Sequence, residues 1–268
     1  MGERLKDKVA IITGGGSGIG KAIAKAFVQE GATVVLAART VENLNKTIEE
    51  LKGMGGKAMA IPTDITVEQQ VIDMVAQVVK TYSKIDILVN NSGIGGPVCN
   101  VVDMKLDDWN YSFAVDLTGS MLCAREALKH MIPRKSGNII NLGAEGGRSG
   151  DGRSGYPMRA AYCCAKMGVI GLTETLAQEV GEFGIRVNCI SAAAVRGARF
   201  VWVIENRAKA MGITFDEAMA NEMRNYSLKR PAEEYELANC AVYLASEESS
   251  AVTGQTIINH CGQHIPFK

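Results

Sequence analysis

The sequence lacks a surplus of either charge, a paired-cysteine motif, a low-complexity linker and any apolar run long enough to cross a bilayer. Lysine plus arginine number 29 and aspartate plus glutamate 29, so the formal net charge is +0. That balance argues against a dedicated nucleic-acid or membrane-surface protein, which would carry a basic excess. No apolar stretch approaches the roughly 18 residues of a membrane span. The charged opening residues precede only a short apolar stretch, so neither a signal peptide nor a lipid anchor is expected. The 7 cysteines include no Cys-x-x-Cys pair. They read as reduced thiols, which points to the cytoplasm. His260, Cys261 and His264 stand close together, but no second cluster completes a site, and no metal is expected.

What is present is ordinary globular composition: 268 residues, 47% hydrophobic and 22% charged. A chain of this length can bury roughly three quarters of its unfolded surface. With no linker or internal repeat, it reads as a single domain over 1–268. Short apolar runs at 9–13, 33–38, 57–62, 85–90, 138–142, 186–190 and 256–258 have the composition of buried strands. Amphipathic stretches at 19–30, 41–54, 67–82, 106–132, 160–182 and 233–245 read as the helices between them. Strand–helix alternation predicts an α/β fold, a doubly wound parallel sheet of Rossmann type.

Residues 196–230 break the alternation and read as two short helices beyond the sixth strand. An insertion there is placed to act as a substrate lid. It carries Arg196, Arg199, Arg207, Lys209 and Arg224 beside Phe200, Trp202 and Phe215. That mix suits an acidic or CoA-linked substrate. It suits equally a pair of amphipathic helices whose charges face water.

The segment Thr13-Gly14-Gly15-Gly16-Ser17-Gly18-Ile19-Gly20 follows a predicted strand and opens a predicted helix. Glycines let the backbone approach a pyrophosphate, and the helix N-terminus offers free N–H groups and positive potential. The Gly-x-x-x-Gly-x-Gly spacing differs from the ordinary dinucleotide fingerprint. Farther on, Tyr162 and Lys166 lie four apart in a helical pattern and share one face. A free tyrosine has a pKa near 10, and a neighbouring ammonium favours the phenolate.

These segments resemble the short-chain dehydrogenase/reductase family, in its order and along nearly the whole chain. The glycine turn at Gly14 is followed by Asp64 in Pro62-Thr63-Asp64-Ile65-Thr66. Next come Asn90-Asn91-Ser92-Gly93, Tyr162-Cys163-Cys164-Ala165-Lys166 and Ile185-Arg186-Val187-Asn188-Cys189-Ile190. The resemblance implies an NAD(P)(H)-dependent oxidoreductase that interconverts a secondary alcohol and a ketone, a small-molecule substrate. Gly14, Ser17, Gly18, Ile19 and Gly20 would meet the cofactor phosphates. Asp64 and Ile65 would border the adenine, and Asn91 and Gly93 would line the cofactor floor. Tyr162 would be general acid/base, and Lys166 would lower its pKa and hold the nicotinamide ribose. The helices at 106–132 and 160–182 match those of the family's dimer contact, which implies a homodimer or homotetramer, or packing with a homologous subunit. Arg39 follows the second strand, where an acidic residue would bind the ribose of NAD. A cation there suits the 2′-phosphate, so NADP(H) is expected over NAD(H).

The chain departs from the family pattern at several places. Asp116 stands where the family has an asparagine, and would hold the relay water while adding a negative charge. The family serine is ambiguous: counting forward along the fifth strand gives Ala144, and counting back from Tyr162 gives Ser149. Ala192-Ala193 replace Pro-Gly, and Asn259-His260-Cys261-Gly262 replace Val-Asp-Gly-Gly. These changes leave open an alternative: a catalytically weakened or silent subunit that packs with an active homologue.

Overall fold

The computed structural model describes residues 2–144, 157–224 and 226–263. Its strands are β1 (Val9–Thr13), β2 (Thr33–Ala38), β3 (Ala58–Pro62), β4 (Ile87–Asn90), β5 (Gly137–Ala144), β6 (Ile185–Ala192), β7 (Val195–Arg196), β8 (Ala232–Glu233) and β9 (Thr256–Asn259). The helices are α1 (Gly18–Gln29), α2 (Val41–Gly53), α3 (Glu68–Tyr82), α4 (Leu106–Phe113), α5 (Gly119–Arg134), α6 (Ala160–Val180), α7 (Ala198–Met211), α8 (Phe215–Met223) and α9 (Glu234–Ala245). Among the described residues, a 7-stranded sheet runs in the order β3-β2-β1-β4-β5-β6-β9. Every pairing in it is parallel. This is the doubly wound Rossmann-type sheet that the alternating pattern predicts.

Successive side chains of a strand point to opposite faces, which divides the core in two. Ala10 and Ile12 of β1 face α1, α2 and α9, packing with Phe27, Leu44 and Leu237. Val9 and Ile11 face α3, α5 and α6, packing with Val75, Ala127 and Leu176. Both faces of the sheet are therefore covered by helices, which is why its strands read as continuous apolar runs.

Most element ends shift by one or two residues from the sequence reading, and two differences change what a side chain does. The stretch 106–132 is not one helix: a π-helical turn, Ala114–Thr118, separates α4 from α5. Such a turn widens the spiral locally and re-aims the side chains it carries, here those of Val115 and Asp116, both buried. The fourth strand begins at Ile87 rather than 85. Asp86 is used otherwise: its Oδ2 accepts the Val9 amide at 2.8 Å and its Oδ1 accepts Arg134 Nη2 at 2.7 Å.

The stretch 196–230 contains α7 and α8, the two short helices that the pattern predicts. They share a small apolar cluster of Ile204, Ala208 and Ala218, flanked by Phe200, Ile213 and Met219. The base of the excursion is closed by parallel pairing of β7 with β8, Val195 opposite Ala232. No described helix is long and apolar enough to cross a membrane.

Candidate active site

Strand order reverses between β1 and β4, because β2 and β3 extend the sheet one way and β4 restarts on the other side of β1. In a doubly wound sheet the crevice beyond the carboxyl ends at that point is where ligands bind. The glycine turn leaves β1 there, and Asn91 leaves β4.

The turn is built around backbone that a side chain would obstruct. Gly14 has φ +65 and Gly18 φ +55, both left-handed, where glycine carries no steric penalty. A Cβ at Gly20 would stand 2.4 Å from Asn91 Nδ2 and 2.5 Å from the Gly14 carbonyl oxygen. Asn91 in turn donates from Nδ2 to the carbonyls of Thr13 (2.9 Å) and Gly14 (3.3 Å). The Thr13 hydroxyl oxygen accepts the amides of Asn91 and Ser92, each at 3.0 Å. Ser17 precedes α1 in extended conformation, and its side chain caps none of the first amides of α1. A bare, glycine-lined helix start of this kind fits a pyrophosphate. Thr13 is an anchor of the glycine turn that sequence reasoning missed; its only signal is its place between an apolar run and the first glycine.

Arg39 follows β2 and is not a lone surface cation. Its Nη1 donates to the Tyr111 hydroxyl at 2.8 Å and lies 3.9 Å from Asp64 Oδ2. Asp64 Oδ1 also accepts the amide and hydroxyl of Thr66 at 2.9 and 2.7 Å. Burial alone would raise the Asp64 carboxyl; Thr66 and Arg39 more than offset it and hold it below the ordinary value. Ile65 is buried, and its side chain fills the space a Cβ at Gly119 would need.

Tyr162 and Lys166 sit on the first turns of α6. Lys166 is buried, with Nζ donating to the Leu142 carbonyl at 3.0 Å and 3.5 Å from Asp116 Oδ1. Asp116 Oδ1 also accepts the Ile94 amide at 3.0 Å. A Cβ at Gly93 would lie 2.7 Å from Asp116 Oδ1 and 3.3 Å from Lys166 Nζ. The structure therefore brings Gly93, Asp116 and Lys166 into one knot. The Arg159 guanidinium lies over the Tyr162 ring, 4.8 Å from its centroid, and donates to the Gly95 carbonyl at 2.7 Å. Nothing in the spacing of the sequence pointed to Arg159.

Beneath the site, the Asn90 amide donates to Asn141 Oδ1 (2.9 Å), and Asn141 Nδ2 donates to Thr173 Oγ1 (2.9 Å). This buried ladder ties β4, β5 and α6 together. Ala144, one of the two candidates for the serine position, is the last residue of β5 and is buried opposite Ala192. Ser149 lies outside the described residues. Of the cations in 196–230, Arg196 pairs with Glu233 and Arg207 with Glu222. Among the described residues no group of three His, Cys, Asp or Glu side chains is placed to hold a metal ion.

The short chain dehydrogenase family profile matches residues 8–209. Secoisolariciresinol dehydrogenase of Forsythia intermedia is 39% identical over 261 residues, covering 96% of this chain and 89% of that protein. The chain belongs to the short-chain dehydrogenase family. The structure of NAD+-bound xylitol dehydrogenase matches with a TM-score of 0.89 at 29% identity, covering 97% of this chain and 100% of that one. A variant of actinorhodin polyketide ketoreductase, solved with NADPH, matches with a TM-score of 0.89 at 30% identity and covers 98% of each chain. Similarity of this kind to short-chain dehydrogenases makes the chain an NAD(P)-dependent oxidoreductase.

Proposed function

We propose that this short-chain dehydrogenase interconverts a secondary alcohol and a ketone, with NADP(H) as the preferred cofactor. The observation that carries the reading is the placement of Tyr162 and Lys166 one helical turn apart, with Lys166 held against β5 by the Leu142 carbonyl. When bound, the nicotinamide supplies or accepts the hydride. Tyr162 passes a proton to or from the substrate oxygen. Lys166 favours the phenolate form of Tyr162 and binds the nicotinamide ribose. Asp116 holds Lys166 and a relay water, and Ser149 orients the substrate oxygen. Gly14, Ser17, Gly18, Ile19 and Gly20 take the pyrophosphate, Asp64 and Ile65 the adenine, and Asn91 and Gly93 the cofactor floor. Arg39 takes the 2′-phosphate, for which it exchanges its bond to Tyr111.

The 196–230 excursion, with its own apolar cluster and its paired base, is suited to close over the substrate as a unit. Two of its cations are already matched by carboxylates, so an uncharged substrate fits it better than an acidic or CoA-linked one. The chain assembles as a homodimer or homotetramer through α5 and α6.

A second reading rests on Ala144 and Asp116. With no hydroxyl at the end of β5 and a carboxylate in place of an amide, the chain serves as a silent subunit beside an active homologue. Titration of the purified chain with NADPH, followed by turnover on a panel of ketones, separates the two. Binding with turnover supports the enzyme. Binding without turnover on any ketone supports the silent subunit.

A further inference from the structure

Glu234 is the first residue of α9, yet its side chain reaches the glycine turn. Its Oε1 stands 3.7 Å from the position of a Cβ at Gly18, which starts α1, and 3.0 Å from that of a Cβ at Gly197, which precedes α7. The carboxylate therefore sits between the loop that follows β1 and the base of the lid. Among the described residues it has neither a hydrogen bond nor an ion pair, unlike its neighbours: Glu233 pairs with Arg196 and Glu236 with Arg230. The cations that face it are Lys21 and Lys25 of α1, and both are engaged by Glu50 of α2.

From this geometry we propose that Glu234 sets the affinity for the dinucleotide, its carboxylate opposing the pyrophosphate charge at the start of α1, so that binding tightens as the pH falls. The inference rests on the reading that the glycine turn takes the pyrophosphate. Two anions brought to the same helix start repel each other across a partly dehydrated gap. Protonation of Glu234 removes the repulsion, so ligand binding and proton uptake are linked. Burial, and next to it the Glu233 carboxylate, push the Glu234 carboxyl above its ordinary value, with Lys21 and Lys25 drawing it partly back. The proton is thereby taken up at a milder pH than a free glutamate would allow.

The test is the dissociation constant of ADP-ribose, measured by calorimetry from about pH 5 to pH 8 on the full chain and on Glu234→Gln. ADP-ribose carries the pyrophosphate but neither the nicotinamide charge nor a titrating 2′-phosphate. Glu234→Gln is expected to bind about 3- to 10-fold more tightly at pH 8, with the ratio narrowing toward one as the pH falls. Glu234→Thr, another neutral helix-start residue, is expected to behave the same way, which guards against a local defect of one variant. Equal affinities at every pH, or weaker binding by both variants, would overturn the inference alone. No binding of ADP-ribose, NADH or NADPH by any of the chains would overturn it together with the dinucleotide reading.

Discussion

Lys166 Nζ lies 3.5 Å from Asp116 Oδ1, and both side chains are buried. A carboxylate this close offsets the ammonium that is proposed to act on Tyr162. Asp116→Asn keeps an acceptor for the Ile94 amide and removes the opposing charge. Turnover of an alcohol at neutral pH is expected to rise by about 3- to 10-fold, because the ammonium then favours the phenolate unopposed. Asp116→Ala, which strands Lys166 and the Ile94 amide, should instead cost about 3 kcal/mol of stability. Steady-state rates and urea melts of both variants check this, and an unchanged rate in Asp116→Asn would count against Lys166 acting through its charge.

Arg39 binds Tyr111 and Asp64 in the free chain. If it also pairs with a 2′-phosphate, Arg39→Ala should weaken NADPH by about 1.5–3 kcal/mol and leave NADH nearly unchanged. Tyr111→Phe should tighten NADPH slightly by releasing the guanidinium. Equal losses for the two cofactors in Arg39→Ala would remove the NADP(H) assignment.

Burial by itself would raise the Asp86 carboxyl, but Arg134, Lys84 and the Val9 amide together hold it below the ordinary carboxylate value. A carboxyl depressed in the folded state adds stability that is complete above the unfolded value, near 3.9, and is lost as the pH falls through the folded one. Asp86→Asn should therefore lower stability at neutral pH, by about 3 kcal/mol because two cations lose their partner. It should also flatten the acid limb below about pH 4. Melts across pH 2 to 7 read both effects.

The thiols offer a test of the proposed assembly. Burial pushes Cys123 up to about 12 and Cys189 up to about 11, so neither should react with a thiol reagent in the native state. Cys164 is exposed on α6, one of the helices proposed to pair with a second copy. It should be protected at micromolar protein and become reactive on dilution. Rapid labelling of Cys164 at every concentration would place the dimer contact elsewhere.

Much of the fold was legible because apolar runs of five or six residues followed by amphipathic stretches admit few arrangements other than a parallel sheet with two helical layers. The glycine turn and the Tyr162–Lys166 spacing were legible because each depends on residues close together in the chain. The π-helical turn at Ala114–Thr118 was not, since its apolar pattern continues that of α4 and α5 and the extra residue per turn leaves no composition signal. Nor was the pairing of Arg39 with Tyr111, 72 positions apart, or the stacking of Arg159 on Tyr162. Polar side chains that meet through tertiary structure have no periodicity to betray them. The ladder from Asn90 through Asn141 to Thr173 belongs to the same class. Asn141→Ala should cost about 2–3 kcal/mol, since it leaves buried amide and hydroxyl groups short of partners, and denaturant melts at neutral pH would show it.

The register of β1 against β4, Ala10 opposite Ile87, has a consequence for synthesis. The first βαβ unit leaves the ribosome with its glycine turn complete, but the amide that braces that turn belongs to Asn91. A nascent chain of some forty residues therefore carries the glycine turn without its support. The brace is available only once the fourth strand has been made, after the second and third, which lie on the other side of β1. Asn91→Ala should therefore loosen the glycine turn in the finished chain as it is loose in the growing one, which faster amide exchange at Gly14 would show.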